Sequence, residues 1–375
     1  MDADRVLLTG ASGLLGAEVL AGLLKEGRPV TAIMHRQRQF TTGSGRTHVP
    51  VPFDANATAG LPLSGVEGEL CAERAGIDAQ LYPVVQASTR LIIHSAALTQ
   101  FGKADALYER INIEGTRRVI ELAESAPAGP IPIVHVSTAY ICGDRRGPIR
   151  ESERDRGQAF SNAYERSKFE AEALLHAARG RGVPVAIVRP SIIVGAERTG
   201  VVRDLENLYV VLRLITEGRV KSLPADYGAL LDLVPIDYVR DVVLAVVRRF
   251  QDCEGQTFHA IGRNPFTLRV VSDVLAEYPS FYVPRFIPPE SFDSNALPPR
   301  EQGYYKRIIS LYEPYFRVRA QFSDTNTRAL LERRSNCGDK AFLRALLGYA
   351  IRVGYLGGAG REEPDETDAR ELAAC

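Results

Sequence analysis

The chain has no surplus of either charge: 46 lysines and arginines balance 46 aspartates and glutamates across its 375 residues. Such a balance gives no support for nucleic acid or an anionic membrane as the main partner. Long hydrophobic runs are missing too. None approaches the roughly 20 apolar residues that a membrane helix needs, so no integral membrane segment is expected. The opening Met1-Asp2-Ala3-Asp4 is acidic and leads straight into an apolar strand, without the basic start of a signal peptide. Cysteine is sparse: Cys71, Cys142, Cys253, Cys337 and Cys375 are scattered, odd in number and never paired as Cys-x-x-Cys. That usage reads as a reducing, cytoplasmic setting with no disulfide framework and no metal site.

Against these absences stands an apolar strand, Arg5-Val6-Leu7-Leu8-Thr9, followed at once by Gly10-Ala11-Ser12-Gly13-Leu14-Leu15-Gly16 and a helix through about Lys25. Strand, glycine turn and helix in that order suit a dinucleotide. Gly10 permits the tight turn, Gly13 lets backbone approach a pyrophosphate, Gly16 lets helix pack on strand, and the helix N-terminus favours the anion. Ser12, Leu14 and Leu15 complete the cofactor contacts expected of this turn. The second strand, Val30-Thr31-Ala32-Ile33-Met34, lacks the carboxylate that an NAD site places on the ribose hydroxyls, and no Asp or Glu lies between Glu26 and Asp54. Arg36 and Arg38 stand there instead. A guanidinium suits a ribose 2′-phosphate by charge and by its forked donors, so NADPH is the expected cofactor.

Residues 48–54 read as a third strand, with Asp54 either accepting from the adenine amino group or capping the next turn. Residues 55–80 read as loop. A strand over 90–97 is of the fully buried type, and its small closing residues Ser95, Ala96 and Ala97 leave room for a cofactor. His94 is expected to pack there without chemistry. The next strand delivers Ser137-Thr138-Ala139-Tyr140 to its carboxyl end, where ligands bind in an open α/β sheet. The Thr138 hydroxyl either meets a substrate carbonyl or satisfies strand-end backbone. Residues 143–160 are rich in charge and read as a mobile rim. In Asn162-Ala163-Tyr164-Glu165-Arg166-Ser167-Lys168, Tyr164 and Lys168 share one helical face. An ammonium beside a phenol would draw its pKa toward working pH. Pro190 and Ser191 close one more buried strand.

Repeated strand and helix predict an α/β fold: a Rossmann-type doubly wound parallel sheet over 1–195, rejoined by 232–262. Residues 196–231 and 263–375 are expected to form a smaller, mostly helical substrate-binding region. Its aromatic stretches, 278–299 and 311–316, either line an acyl pocket or fill a core. The tail from Gly358 is polar and reads as disordered.

Thr9 to Gly16, Ser137 to Tyr140, Tyr164-x-x-x-Lys168 and Val188-Arg189-Pro190-Ser191 together resemble the extended short-chain dehydrogenase/reductase superfamily. His94-Ser95-Ala96-Ala97, Asn112-Ile113-Glu114-Gly115-Thr116, Val136 to Tyr140 and Asp232 to Val239 resemble its thioester reductase and fatty acyl-CoA reductase branch, the male-sterility-like one. The likeness covers about residues 5–260. It implies NADPH-dependent reduction of an acyl thioester to an aldehyde, or onward to an alcohol. It also implies roles: Thr138, with Ser137 as the alternative, and Tyr164 hydrogen-bond the developing oxyanion, while Lys168 holds the nicotinamide ribose and lowers the Tyr164 pKa. Pro190 and Ser191 lie beside the nicotinamide, and Asn112 braces the sheet or orders a water. With no adenylation or carrier region ahead of the reductase, the thioester, on CoA or on an acyl or peptidyl carrier protein, is expected in trans. Nucleotide-sugar epimerases or dehydratases and hydroxysteroid-type dehydrogenases share the same residues, and a silent cofactor-binding protein is a third reading. The missing carboxylate after Ile33 argues against the epimerases, and the intact Thr138, Tyr164 and Lys168 argue against silence.

Overall fold

The computed structural model describes residues 5–54, 60–335 and 337–357. The N-terminal four residues and the tail read as disordered lie outside them. Among the described residues eight parallel strands form one sheet: β1 (Val6–Thr9), β2 (Val30–Met34), β3 (Val51–Pro52), β4 (Leu63–Glu67), β5 (Leu91–His94), β6 (Ile133–Val136), β7 (Val185–Pro190) and β8 (Thr257–Ala260). Their spatial order is β3-β4-β2-β1-β5-β6-β7-β8. The chain winds outward from β1 in one direction and from β5 in the other. The order therefore reverses between β1 and β5, and a crevice opens there at the carboxyl ends.

The central strands are buried on both faces, which is why they read as unbroken apolar runs. One face is covered by α1 (Leu14–Lys25) and α4 (Ile236–Arg248), through Val19, Leu23, Val239 and Val243. The other lies under α2 (Gly115–Glu124) and α3 (Ala163–Gly180), through Val119, Ile120, Leu175 and Ala178. A separate apolar cluster, including Leu212, Leu214, Ile309, Phe342 and Leu346, fills the region beyond β7. That region carries helices Leu208–Thr216 and Lys340–Arg352, and also short ladders: Ser222–Pro224 with Arg285–Ile287, and Leu230–Leu231 with Phe266–Thr267. No helix among the described residues is long and apolar enough to cross a membrane.

Two sequence expectations need correcting. The stretch 55–80, read as loop, holds strand β4: Val30 to Met34 pair with Leu63 to Glu67, and Val51–Pro52, within the expected third strand, pairs only with the outer side of β4. Burial explains the difference. Leu63 to Val66 are enclosed, with Ser64 Oγ 2.9 Å from Thr31 Oγ1, whereas Val51 and Pro52 are exposed. Proline has no N–H for a second ladder and belongs at an edge. Asp54 thus follows the edge strand and is exposed.

The loop 143–160, expected as a mobile rim, is pinned. Gly147–Ile149 pairs in parallel with Ala320–Phe322. The buried Glu151 carboxylate accepts from the backbone N–H groups of His259 (3.0 Å), Asn326 (2.7 Å) and Thr327 (3.2 Å), and from the Thr327 hydroxyl (3.1 Å). A carboxylate buried this way is tolerated because its lone pairs are filled by donors.

Candidate active site

At the end of β1 the chain turns on Gly10, whose φ of +74° favours glycine; a Cβ there would lie 2.5 Å from Ala96 N. A Cβ on Gly16 would lie 1.9 Å from Gly10 O, so α1 starts in contact with the turn. The N-cap residue is Gly13, and no side chain caps the first N–H groups of α1. An uncapped helix N-terminus at the mouth of a crevice has free donors for a phosphate.

The end of β5 is held to this turn by a chain of hydrogen bonds whose donors can be counted. The Thr116 hydroxyl donates to Asn112 O at 2.6 Å, so His94 Nε2, 3.0 Å away, must donate to Thr116. His94 Nδ1 is then the acceptor, and takes the Thr9 hydroxyl at 2.8 Å; Thr9 Oγ1 in turn accepts from Ala96 N at 3.2 Å. This fixes His94 as a neutral tautomer. Burial, with the nearby Lys168 charge, lowers its pKa to about 3. His94 packs as expected, but it also joins the two turns that border the crevice. Asn112 likewise braces: it accepts from Leu98 N at 2.7 Å and donates to Ser167 Oγ at 2.8 Å.

These turns, the ends of β6 and β7, and the start of α3 surround a cleft of about 280 Å³. Of the sequence-predicted residues, Gly13, Leu14, Leu15, Gly16, Ser95, Ala97, Thr138, Tyr164, Lys168, Pro190 and Ser191 line it. Gly10 and Ala96 lie packed against each other beneath it. Ser12 offers its carbonyl to Arg203 at 3.0 Å. Arg36, Arg38 and Asp54 are exposed and are not part of its lining. Arg38 is hydrogen-bonded to Glu67. That carboxylate stands opposite Met34 in the sheet register, so the space beside the end of β2 holds an acid that the chain order hid. Arg36 has no carboxylate paired to it among the described residues.

Helix α3 is capped by Asn162, whose side chain accepts from Glu165 N at 2.9 Å, while Glu165 Oε2 accepts from Ser161 N at 3.0 Å. This reciprocal cap sets the first turn that carries Tyr164. Burial raises the Tyr164 phenol well above its usual pKa, and the neighbouring Thr138 hydroxyl pulls the other way. Thr138 also donates to Pro190 O at 3.3 Å.

Lys168 does not act on Tyr164 as expected. Its Nζ donates to Val136 O at 2.8 Å and lies 3.2 Å from His135 Nε2, because the long side chain runs down to the end of β6. Burial lowers its pKa from 10.5 to about 8, with Glu172 opposing. His135 is also held neutral, chiefly by burial and then by Lys168. Ser191 turns its hydroxyl to Asp232, 2.7 Å away, whose pKa burial raises to about 6.

Sequence reasoning missed several of these groups. His135 sits in an apolar strand with nothing in the pattern to tie it to Lys168. Arg203, which bridges Ser12 O, Thr41 O (3.0 Å) and Asp204, comes from a segment with no motif. Glu67 was lost with β4.

The family profile described as male sterility protein, an NAD-binding model, matches residues 8–243, more than half of the chain. The chain belongs to the male sterility protein family. A linear gramicidin synthase protein of Brevibacillus parabrevis is 27% identical over 241 residues, covering 62% of this chain and 5% of the synthase. Isonitrile lipopeptide synthase of Streptomyces coeruleorubidus is 29% identical over 287 residues, 73% of this chain and 19% of that protein. The chain thus spans a small fraction of the curated relatives it matches. In fold it is similar to the terminal R domain from the myxalamid PKS-NRPS biosynthetic pathway, with a TM-score of 0.77, 21% identity, and coverage of 95% and 92% of the two chains. This male sterility family member therefore shares its fold with that R domain. The matched model is an NAD-binding one, so the chain is built to take a nicotinamide cofactor.

Proposed function

We propose that the chain reduces an acyl thioester, delivered on CoA or on an acyl or peptidyl carrier protein, to the aldehyde at the expense of NADPH. The observation that carries this reading is the convergence of Thr138, Tyr164 and Lys168 on the cleft that the glycine turn opens into. The residues fit the cofactor: an uncapped helix N-terminus, a turn that tolerates no Cβ, and small residues at the end of β5. When bound, it supplies the hydride. Tyr164 gives the proton. A phenol whose pKa burial has raised stays an O–H at working pH, which suits a reduction, in which the carbonyl oxygen gains charge and needs a donor. Thr138, beside it, becomes the second donor once its hydroxyl turns from Pro190 O, its present acceptor at 3.3 Å, to that oxygen. Collapse of the resulting hemithioacetal releases the thiol and the aldehyde. Cysteine takes no part; burial raises the Cys142 thiol to about 12, leaving it inert.

Lys168 holds the ribose hydroxyls as an ammonium. Its pKa of about 8 makes it charged below that pH and neutral above, so kcat/KM is expected to fall as pH rises through about 8. A flat profile across that region removes Lys168 from this role.

Arg36 is the guanidinium for the 2′-phosphate, since Arg38 is engaged by Glu67. Arg36→Ala is expected to raise the KM for NADPH by about 10- to 100-fold, the worth of one charge-assisted contact, and to leave NADH nearly unchanged. Equal loss for both cofactors rejects the assignment.

The reading as a whole is tested by NADPH consumption against CoA and carrier-bound thioesters, with aldehyde and alcohol trapped. Turnover of a nucleotide sugar or a ketone, and of no thioester, refutes it.

A further inference from the structure

The side of the cleft facing Tyr164 is a slab of rings. Phe101 lies 5.9 Å from the Tyr164 ring, centre to centre, and stacks on Tyr315 at 5.6 Å with 15° between planes. Tyr312 leans on Phe101 at 5.3 Å, and Tyr140 meets Tyr315 edge-on at 5.1 Å. Phe101, Tyr140, Tyr312 and Tyr315 all line the cleft.

Two of these rings carry hydroxyls whose protons are already committed. The Tyr315 O–H donates to the buried Glu165 carboxylate at 2.8 Å, and the Tyr312 O–H donates to Asn207 Oδ1 at 3.2 Å. A phenol has one proton to give, so neither has a donor left for a ligand. Of the acids nearby, Asp204 is bonded to Arg203. The Tyr140 hydroxyl has no partner among the described residues but is itself enclosed, so what Phe101, Tyr312 and Tyr315 present to the cleft is ring face. The slab is rigid, because Glu165, within the cap of α3, ties Tyr315 to the turn that bears Tyr164.

Building on the thioester-reductase reading, we propose that Phe101, Tyr312 and Tyr315 form the acyl-selecting surface, and that it takes a hydrocarbon or aryl chain over one hydroxylated near the thioester. A hydroxyl laid on these ring faces loses water and gains no donor in return, while a methylene or an aryl ring gains contact.

The test compares two pantetheine thioesters of equal length, hexanoyl and 3-hydroxyhexanoyl, with the purified chain and NADPH. The hexanoyl thioester is expected to have the higher kcat/KM by about 10- to 100-fold, the range an apolar pocket reaches against an added hydroxyl. Tyr315→Ala opens the slab to water and should shrink that ratio to about threefold or less, whereas Tyr315→Phe keeps the ring face and should keep the ratio. If Tyr315→Ala fails to fold, Phe101→Leu removes a ring face without touching Glu165 and should act in the same direction. Equal rates on the two thioesters with the unaltered chain, or an unchanged ratio in a folded Tyr315→Ala or Phe101→Leu, overturns the proposal. Binding of NADPH with turnover of neither thioester instead overturns the thioester reading and the proposal with it, so the two failures are told apart.

Discussion

Tyr164→Phe is expected to lower the turnover number by about a thousandfold or more while leaving cofactor affinity within about twofold of the unaltered protein. Loss of a positioned acid typically costs 10²- to 10⁴-fold, and loss of an oxyanion donor a similar amount; here one hydroxyl does both. Cofactor affinity should be spared because the proposed ribose contact is assigned to Lys168, whose Nζ is held by Val136 O and His135 and not by Tyr164. Phenylalanine keeps the ring that packs on Phe101, so the fold should be untouched. Single-turnover oxidation of NADPH gives the chemical step, and a fluorescence titration gives the affinity. A variant that turns over normally would remove Tyr164 from the mechanism.

The second large effect concerns stability. Arg189 is enclosed in the protein at 2% exposure, with its guanidinium on the fully buried Glu172 through bonds of 2.7 and 2.9 Å; its remaining nitrogen donates to Glu151 O and Glu153 O. Removing one partner strands the other charge without water, so Glu172→Ala or Arg189→Ala should each cost about 3 to 5 kcal/mol. An equilibrium urea transition measures this, and a loss below about 1 kcal/mol would contradict it. The pair also sets a pH dependence. Burial pushes the Glu172 carboxyl up, but the Arg189 charge and hydrogen bonds outweigh it and hold the folded pKa below the ordinary 4.5. A depressed carboxylate contributes fully above the unfolded value and is lost as pH falls through the folded one. The unaltered protein should therefore lose stability below about pH 4.5 more steeply than Glu172→Ala, which has no such proton to take up.

Much of the fold was legible in the sequence because its central strands are buried on both faces and end in residues with narrow uses. Val6 to Thr9 with Gly10, Gly13 and Gly16, and Leu91 to His94 with Ser95 to Ala97, carry their geometry in their composition. The residues that line the cleft on the sheet side were found for the same reason. β4 was not, since Leu63-Ser64-Gly65-Val66-Glu67 hides its burial behind a serine that pairs with Thr31 and a glycine. Its loss concealed Glu67. Four-residue spacing put Tyr164 and Lys168 on one helical face, but it could not say that Lys168 would reach past the phenol to Val136. Nor could it show that the 143–160 loop is fastened, because Glu151 finds its donors on segments far along the chain.

That fastening orders events in time. Glu151 must wait 175 residues for Asn326. The sheet, by contrast, is complete once Ala260 has been made. As the chain emerges from the ribosome, the sheet has all its strands while the Glu151 carboxylate is still hydrated and the 143–160 loop is unfastened. Such distant closures are slow, because the loop entropy is lost before the contact forms. Tyr315 arrives in the same late stretch. The nascent chain thus passes through a stage in which the glycine turn and the sheet are in place while the ring of Tyr315 has yet to close on Glu165.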